Sequence, residues 1–295
     1  MELLDSDLSN AWLEAIQNER DPEAELERIE IVGGGSINDA RRVHSSAGIF
    51  FAKINDAESF PEMFECEADG LMFLQRNSDF DIPLPIATGV TGQTQWILME
   101  NIKPSGKKEN FWEDFGRDLA EMHRNTQENF GYSRDNYLGS LRQSNKQKST
   151  WAEFFVSERL EPQLKMAKDK GEASDEMVRL FEKLFSRAER YFPVEKPSAV
   201  HGDMWTGNFM TDSHGKATIF DPAAYYGHRE MDLGMSKLFG GYDQKFYEAY
   251  NEAFPLEAGW EERLDIANLY PLLAHLNLFG SSYAFQIMGI LRKKV

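Results

Sequence analysis

Apolar residues in the first hundred positions come in short runs, and after residue 110 they recur at helical spacing. Leu8, Trp12, Leu13 and Ile16 lie on one stripe and predict an amphipathic helix over 8–18, with Ser6 or Asp7 placed to cap it. Short runs at 27–32, 39–44, 49–54, 86–90 and 94–99, separated by Gly, Pro, Asn and Asp, predict strands. One helix, over 59–75, interrupts them, and 81–85 is a Pro-rich connector. The last of these strands runs out into Glu100 to Gly106, a Pro/Gly-bearing segment suited to a hinge and equally to an ordinary linker. Beyond it the pattern predicts helices over 111–124, 151–168, 175–191, 229–239, 244–253 and 261–279. A polar, loop-like stretch occupies 131–148, and a strand over 217–220 pairs back onto the segment after Asn208. The expected class is α+β and bilobal. Residues 1–102 form a small N-terminal lobe of antiparallel sheet plus helix, and residues 103–295 a larger, mainly helical lobe.

Composition narrows the setting. A chain of 295 residues with 41% apolar and 13% aromatic content can bury a substantial core. No run approaches the ~20 apolar residues of a membrane span, and the acidic start Met1-Glu2-Leu3-Leu4-Asp5 is unlike a signal peptide. Cys66 is the single cysteine, which excludes an internal disulfide and a Cys-based zinc cluster and suits a reducing, cytoplasmic location. Net charge of −17 argues against nucleic-acid and anionic-lipid partners. A polyphosphate ligand would then need Lys, Mg²⁺ and backbone N–H groups to offset the field locally.

The candidate chemistry centres on His201-Gly202-Asp203-Met204-Trp205-Thr206-Gly207-Asn208. Asp203 and Asn208 have the spacing of a kinase catalytic loop, in which the Asp accepts the proton of an attacking hydroxyl and the Asn holds a metal ion. Asp221, at the end of the apolar run 217–220, is a candidate second metal ligand. An Asp and an Asn shaping a surface turn would have the same spacing. Upstream, Lys53 ends an otherwise apolar strand. It either snorkels to solvent or points into a cleft to hold phosphates, and the second reading needs a carboxylate, for which Glu67 is placed. Gly33 to Ser36 could let backbone amides approach a phosphate or be only a flexible turn. The polar loop carrying Asp135 and Asn136 could face a sugar or be solvated. Cys66 reads as a small core residue.

These residues occur within GGGSIN at 33–38, MFECEADGL at 63–71, DNYLG at 135–139 and WAEFFVSERLEPQL at 151–164. They continue in HGDMWTGN at 201–208, DPAAYYGHREMDLGMSKLFGG at 221–241 and AYNEAFPL at 249–256. With them the chain resembles the protein kinase-like superfamily on its aminoglycoside/choline kinase side, and more closely the fructosamine kinase (ketosamine-3-kinase) family in its bacterial form. The resemblance implies a protein kinase-like fold and ATP- and Mg²⁺-dependent phosphorylation of the 3-hydroxyl of a ketosamine. That substrate is a fructosamine, ribulosamine or related adduct on a free amine or a protein lysine, and its unstable 3-phosphate eliminates, so that the amine is deglycated. It implies that Asp203 is the catalytic base, that Asn208 and Asp221 hold Mg²⁺, and that Lys53, fixed by Glu67, contacts the α- and β-phosphates. Gly34, Gly35 and Ser36 would lie over the phosphates, and Met99, Glu100, Asn101 and Ile102 would form the adenine hinge. Trp205 would be a stacking platform for the sugar or else a core tryptophan, with Asp135 and Asn136 also on the substrate side, and His201 a structural hydrogen-bonding residue.

Three departures matter. Some family members carry a cysteine where this chain has Ser36, so redox control through a linked dimer is not available by that route. Pro222-Ala223 replaces the Phe-Gly of protein kinases, which argues against an activation-loop switch of that type. Many members carry Asp where this chain has His228, a change bearing on substrate-side polarity. Phosphorylation of another hydroxyl compound, such as an aminoglycoside or choline, and a nucleotide-binding protein without catalysis are the alternatives. Monomer and homodimer remain open.

Overall fold

The computed structural model describes residues 6–33 and 37–295. It opens with α1 (Ser6–Glu19), β1 (Leu26–Val32), β2 (Asp39–Ser45), β3 (Gly48–Asp56), α2 (Met63–Asn77), β4 (Pro85–Thr91) and β5 (Thr94–Glu100). The strands form one sheet in the order β1-β2-β3-β5-β4, antiparallel throughout. Alternation along a strand sends successive side chains to opposite faces. Phe50 and Ala52 of β3 and Trp96 and Leu98 of β5 meet α1, which buries Leu8, Trp12 and Ile16 against them. On the other face Ile97 and Met99 meet Phe64, Leu71 and Leu74 of α2. Lys53 lies on this second face, one position from Ala52. The helix expected from residue 59 starts only at Met63. Pro61 biases the residue before it, Phe60, away from helical backbone, and Glu62 takes up a left-handed conformation, φ 57°, before the helix begins.

The C-terminal lobe follows with α3 (Phe111–Arg124), β6 (Asn136–Leu138), β7 (Leu141–Gln143), α4 (Trp151–Phe154), α5 (Glu161–Asp169) and α6 (Asp175–Phe185). Then come β8 (Ser198–Val200), β9 (Phe209–Thr211), β10 (Ala217–Ile219) and β11 (Tyr225–Gly227). The helices α7 (Glu230–Leu238), α8 (Gln244–Ala253), α9 (Trp260–Ala267), α10 (Leu269–Phe279) and α11 (Ala284–Lys294) complete the chain. The short strands pair as β6–β7, β8–β11 and β9–β10.

Four further expected elements differ, one of them the helix over 175–191, which ends at Phe185 and is followed by a single 3-10 turn at Ala188–Arg190. The stretch 131–148 is not simply a loop, because β6 and β7 form a hairpin within it. The helix over 151–168 is widened by a π-helical turn at Phe155–Leu160. Pro162 has no N–H to donate to the Glu158 carbonyl and its ring would clash there; that oxygen instead accepts from Arg159 Nη1 at 3.1 Å. The helix over 261–279 breaks at Asn268, where Pro271 cannot donate to Ala267, and sits in the first turn of α10, where its missing N–H does no harm.

One apolar core lies among α4 to α6 and α9 to α11. A second joins the lobes, bringing Ile97 and Met99 of β5 together with Phe115 of α3, Met204 and Phe246. The catalytic-loop candidates therefore grow out of a core that both lobes share. No helix among the described residues is long and apolar enough to cross a membrane.

Candidate active site

Between the sheet and the helical lobe lies a cavity of about 500 Å³. Val32, Ala40 and Phe51 of the sheet and Met210 and Phe220 of the lower lobe supply apolar walls. Lys53, Glu67, Asp203, Asn208 and Asp221 supply its charged part, so residues spread over much of the sequence converge on one space. Gly33 lines it too, while Gly34, Gly35 and Ser36 fall outside the described residues.

Lys53 does not snorkel to solvent. Its Nζ lies 2.5 Å from Glu67 Oε1 of α2 and also donates to Asp221 Oδ1. Burial alone would lower the pKa of the ammonium, but Asp221 and Glu67 overcome that and hold it above the usual lysine value. One cation thus faces two carboxylates, and a third stands by. The Asp203 carboxyl is pushed up to about 7, chiefly by burial, with Asp221 and Asp232 adding to the effect and the Asn208 side chain opposing it. The pocket is short of positive charge.

That shortage bears on a metal. Asn208 Nδ2 donates to Asp203 Oδ2 at 2.7 Å and to the Asp203 carbonyl at 2.9 Å, which commits the amide nitrogen and leaves its oxygen as an acceptor. Asp221 has one oxygen on Lys53 and the other for a ligand. No ready-made group of three or more His, Cys, Asp or Glu ligands exists among the described residues. Hard oxygen donors from one carboxylate and one amide, with the remainder supplied by phosphates and water, are the donor set that suits Mg²⁺ rather than zinc.

The backbone that presents these groups is held from beneath. Asp221 has a left-handed φ of 57°, rare for a non-glycine residue. It is spanned by backbone bonds from Phe220 N to Asn208 O, 3.1 Å, and from Ala223 N to His201 O, 3.0 Å. Gly202 is required here, because a Cβ on it would collide with the Ala223 carbonyl, and its φ of 81° favours glycine. His201 is fully buried. Its Nδ1 accepts from Asp203 N at 3.2 Å, so Nε2 carries the hydrogen and donates to Phe220 O at 3.0 Å. Burial lowers its pKa, and it stays a neutral strut between the two loops.

Two further layers were not visible in the motifs. Asp232 of α7 is fully buried and accepts from His201 N at 2.7 Å, Gly202 N at 2.9 Å and His123 Nε2 at 3.1 Å. His123 Nδ1 in turn meets Tyr250 OH at 2.8 Å. The other layer starts at Asn136. Its Nδ2 donates to Ala224 O at 2.8 Å and its Oδ1 accepts from Gln143 Nε2 and Asn145 Nδ2. Gln143 also reaches Ala223 O, and the fully buried Arg159 donates to Asn145 Oδ1 and stacks over Tyr225 at 4.1 Å. His123 lies on the buried side of α3 with Phe115, Leu119 and Met122, but nothing in the sequence signalled its partner or the burial of Arg159.

The substrate-side candidates separate. Asn136 touches the cavity, yet its amide is engaged in supporting the segment after Asp221. Asp135 is not among the lining residues, and its Oδ1 accepts from Asn145 N at 2.8 Å. Trp205 is no core tryptophan: it is 36% exposed, lines the cavity and folds across Gly207, where a Cβ would strike the indole. Cys66 lines the cavity as well, and burial raises the pKa of its thiol. Met99 is buried in the shared core, whereas the Glu100, Asn101 and Ile102 positions border a second, smaller cavity with Asp81 and Thr218. His228 is fully buried against Trp151 and Phe192 and does not line the cavity. It therefore bears on the core and not on substrate-side polarity.

A lysine fixed by a helix carboxylate beneath a five-stranded sheet, facing an Asp–Asn loop and a further Asp, is the arrangement of a phosphotransferase of the protein kinase-like class. Comparison with known proteins carries this further. The sequence profile described as fructosamine kinase matches residues 8–295, and the chain belongs to the fructosamine kinase family. It is 40% identical over 277 residues to the chloroplastic protein-ribulosamine 3-kinase of Arabidopsis thaliana, covering 90% of this chain and 82% of that one. It is 38% identical over 264 residues to a protein of Enterococcus faecium assigned as a ketoamine kinase, covering 88% and 92%. A crystal structure described as a fructosamine-3-kinase of Thermobifida fusca superposes with a TM-score of 0.84 at 34% identity, covering 94% and 96%. A thermostable mutant of the aminoglycoside phosphotransferase APH(4)-Ia, with ADP and hygromycin B bound, shares the fold at a TM-score of 0.62 and 14% identity.

Proposed function

We propose that this protein is an ATP-dependent ketosamine 3-kinase, acting on ribulosamine- or fructosamine-type adducts and thereby initiating their deglycation. The observation that carries this reading is the convergence of Lys53, Asp203, Asn208 and Asp221 on one cavity whose rim is the half-exposed indole of Trp205. In this reading Asp203 orients the sugar 3-hydroxyl and accepts its proton as that oxygen bonds to the γ-phosphorus of ATP. The bond to the β-phosphate oxygen breaks and ADP leaves. Lys53, steadied by Glu67, contacts the α- and β-phosphates, and the glycine-rich segment with Gly34, Gly35 and Ser36 covers them. Asn208 and Asp221 hold Mg²⁺, which when bound neutralises charge on the phosphate oxygens. Met99 to Ile102 meet the adenine through their backbone. Trp205 offers an aromatic face to the C–H-rich side of the sugar. Asn136, with its amide engaged, serves the substrate by fixing the Asp221 segment. A reducing compartment such as the cytoplasm suits the one unpaired, buried thiol.

The test is ADP release with a panel of ribulosamine, fructosamine, an aminoglycoside and choline as acceptors. Turnover with the two ketosamines is expected. Turnover with the aminoglycoside alone would refute the assignment, and ATP binding without turnover of any acceptor would favour a non-catalytic nucleotide binder.

A further inference from the structure

A line of aromatic rings leaves the cavity at Trp205. The Trp205 indole packs edge-on against Phe239 at 6.0 Å, and Phe239 meets His275 at 4.7 Å. His275 then contacts Phe279 at 5.4 Å and Tyr283 at 5.2 Å. These residues come from the catalytic loop, the end of α7, and the end of α10 with the turn after it, so the line is a product of tertiary structure and not of one helix face. The line is open at both ends: Trp205 is 36% exposed and Phe279 52% exposed.

The helix that carries the far end packs beside the cavity wall. Gly139, in the turn of the β6–β7 hairpin, lines the cavity, and a Cβ on it would come within 3.2 Å of Leu278 Cδ1, the residue before Phe279. The end of α10 thus packs against a residue of the cavity wall, while of the rings in the line Trp205 is the one that lines the cavity itself. His275 adds no positive charge. Burial lowers its pKa, and the Pro271 carbonyl 2.8 Å from Nδ1 takes the ring hydrogen.

We propose that this line is a subsite for the hydrocarbon part of the amine that carries the sugar: an aliphatic stem or an aromatic ring on the ketosamine nitrogen. The proposal rests on the ketosamine reading above. In a ketosamine the nitrogen stands three bonds from C3, so with the 3-hydroxyl at Asp203 the substituent must leave the pocket within reach of Trp205. That nitrogen is a secondary ammonium, which aromatic faces attract and a chain of net charge −17 does not repel. Exposed rings that continue an active-site cavity can be covered by bound substrate, burying apolar area that is otherwise wet. The same subsite would serve a small free amine and the methylene stem of a glycated lysine.

The experiment uses the intact protein and ribulosamines that differ only in the amine: methylamine, hexylamine, benzylamine and Nα-blocked lysine amide. KM is expected to fall about tenfold from the methylamine adduct to the hexylamine and benzylamine adducts, with the blocked-lysine adduct following hexylamine. In Phe279→Ala the preference should shrink to about threefold or less, with the change in KM and not in kcat. Phe279→Leu should keep the hexylamine preference and weaken the benzylamine one. Val194→Ser, which removes a fully exposed apolar side chain elsewhere, should leave the series unchanged. A flat series in the natural protein, a series that Phe279→Ala does not alter, or an equal loss in Val194→Ser would overturn the subsite while leaving the kinase assignment standing. Failure to turn over any ketosamine would overturn both.

Discussion

The floor of the cleft and its rim are built on opposite rules. On the floor, polar groups near the catalytic loop are densely bonded: Asp232 alone takes three hydrogen bonds, and Asn136, Gln143, Asn145 and Arg159 bond to one another beneath the segment after Asp221, with Arg159 Nε left over. On the rim, Trp205 stands partly in water, and the line of rings that starts at it ends at the exposed Phe279, with few polar constraints. Phosphoryl transfer depends on positioning and on charge held in place, so the floor cannot yield. A rim that accepts different amines gains from broad aromatic faces that impose little directionality. Substitutions should therefore separate the two regions by the quantity they change.

The largest effect belongs to Asp203→Asn. It keeps size and polarity but removes the proton acceptor, so turnover should fall by about 10²–10⁴-fold. The melting temperature should hold, because among the described residues Asn208 is the one side chain bonded to that carboxylate. Asp232→Ala comes next and acts through the fold. Two backbone amides and His123 lose their acceptor at once, which costs about 3–5 kcal/mol in denaturant unfolding and carries activity down with it. An Asp232→Ala protein that unfolded like the natural one would show the floor to be less coupled than its hydrogen bonds indicate.

A smaller effect lies behind the floor at His228. Its pKa is lowered from 6.5 to about 4, chiefly by burial, with Glu195 opposing. Between those values the unfolded chain takes up a proton that the folded protein refuses. The associated stability is intact above about pH 6.5, declines as the pH falls through the window and stops declining near 4, amounting to about 2 kcal/mol at pH 5. His228→Gln should lose this part of the slope between pH 7 and pH 5 in urea titrations. An unchanged slope would mean that the buried imidazole already carries its proton. The smallest effect on stability is at the rim, where Phe279→Ala should shift unfolding by no more than about 0.5 kcal/mol. A larger loss would make that ring part of the core.

This division also explains what could be read from the sequence. Short apolar runs announced the five strands, but the direction of Lys53 stayed open until the sheet put it on the face opposite α1. The spacing of Asp203, Asn208 and Asp221 picked out three residues that line one cavity. The supports could not be read, because their partners lie far along the chain. Asn136 answers to Ala224, and Asp232 to His123 and His201. Arg159, on a helix whose pattern suits a solvated arginine, is fully buried beside Tyr225. Helix boundaries failed where prolines acted through a missing N–H, at Pro162 and Pro271. Trp205 shows the reverse case: local sequence left a core and a ligand role equally open, and only its position across Gly207 decided its exposure.

The central claim is that the site phosphorylates a sugar-amine at its 3-hydroxyl, and the phosphorus NMR spectrum of the product tests it most directly. With a ribulosamine and ATP, the new ester should appear as a proton-coupled doublet from the single hydrogen on C3. It should then decay to inorganic phosphate as free amine is released, and Asp203→Asn should abolish it. A stable triplet from a primary ester, or ADP formed with no sugar phosphate at all, would contradict the account.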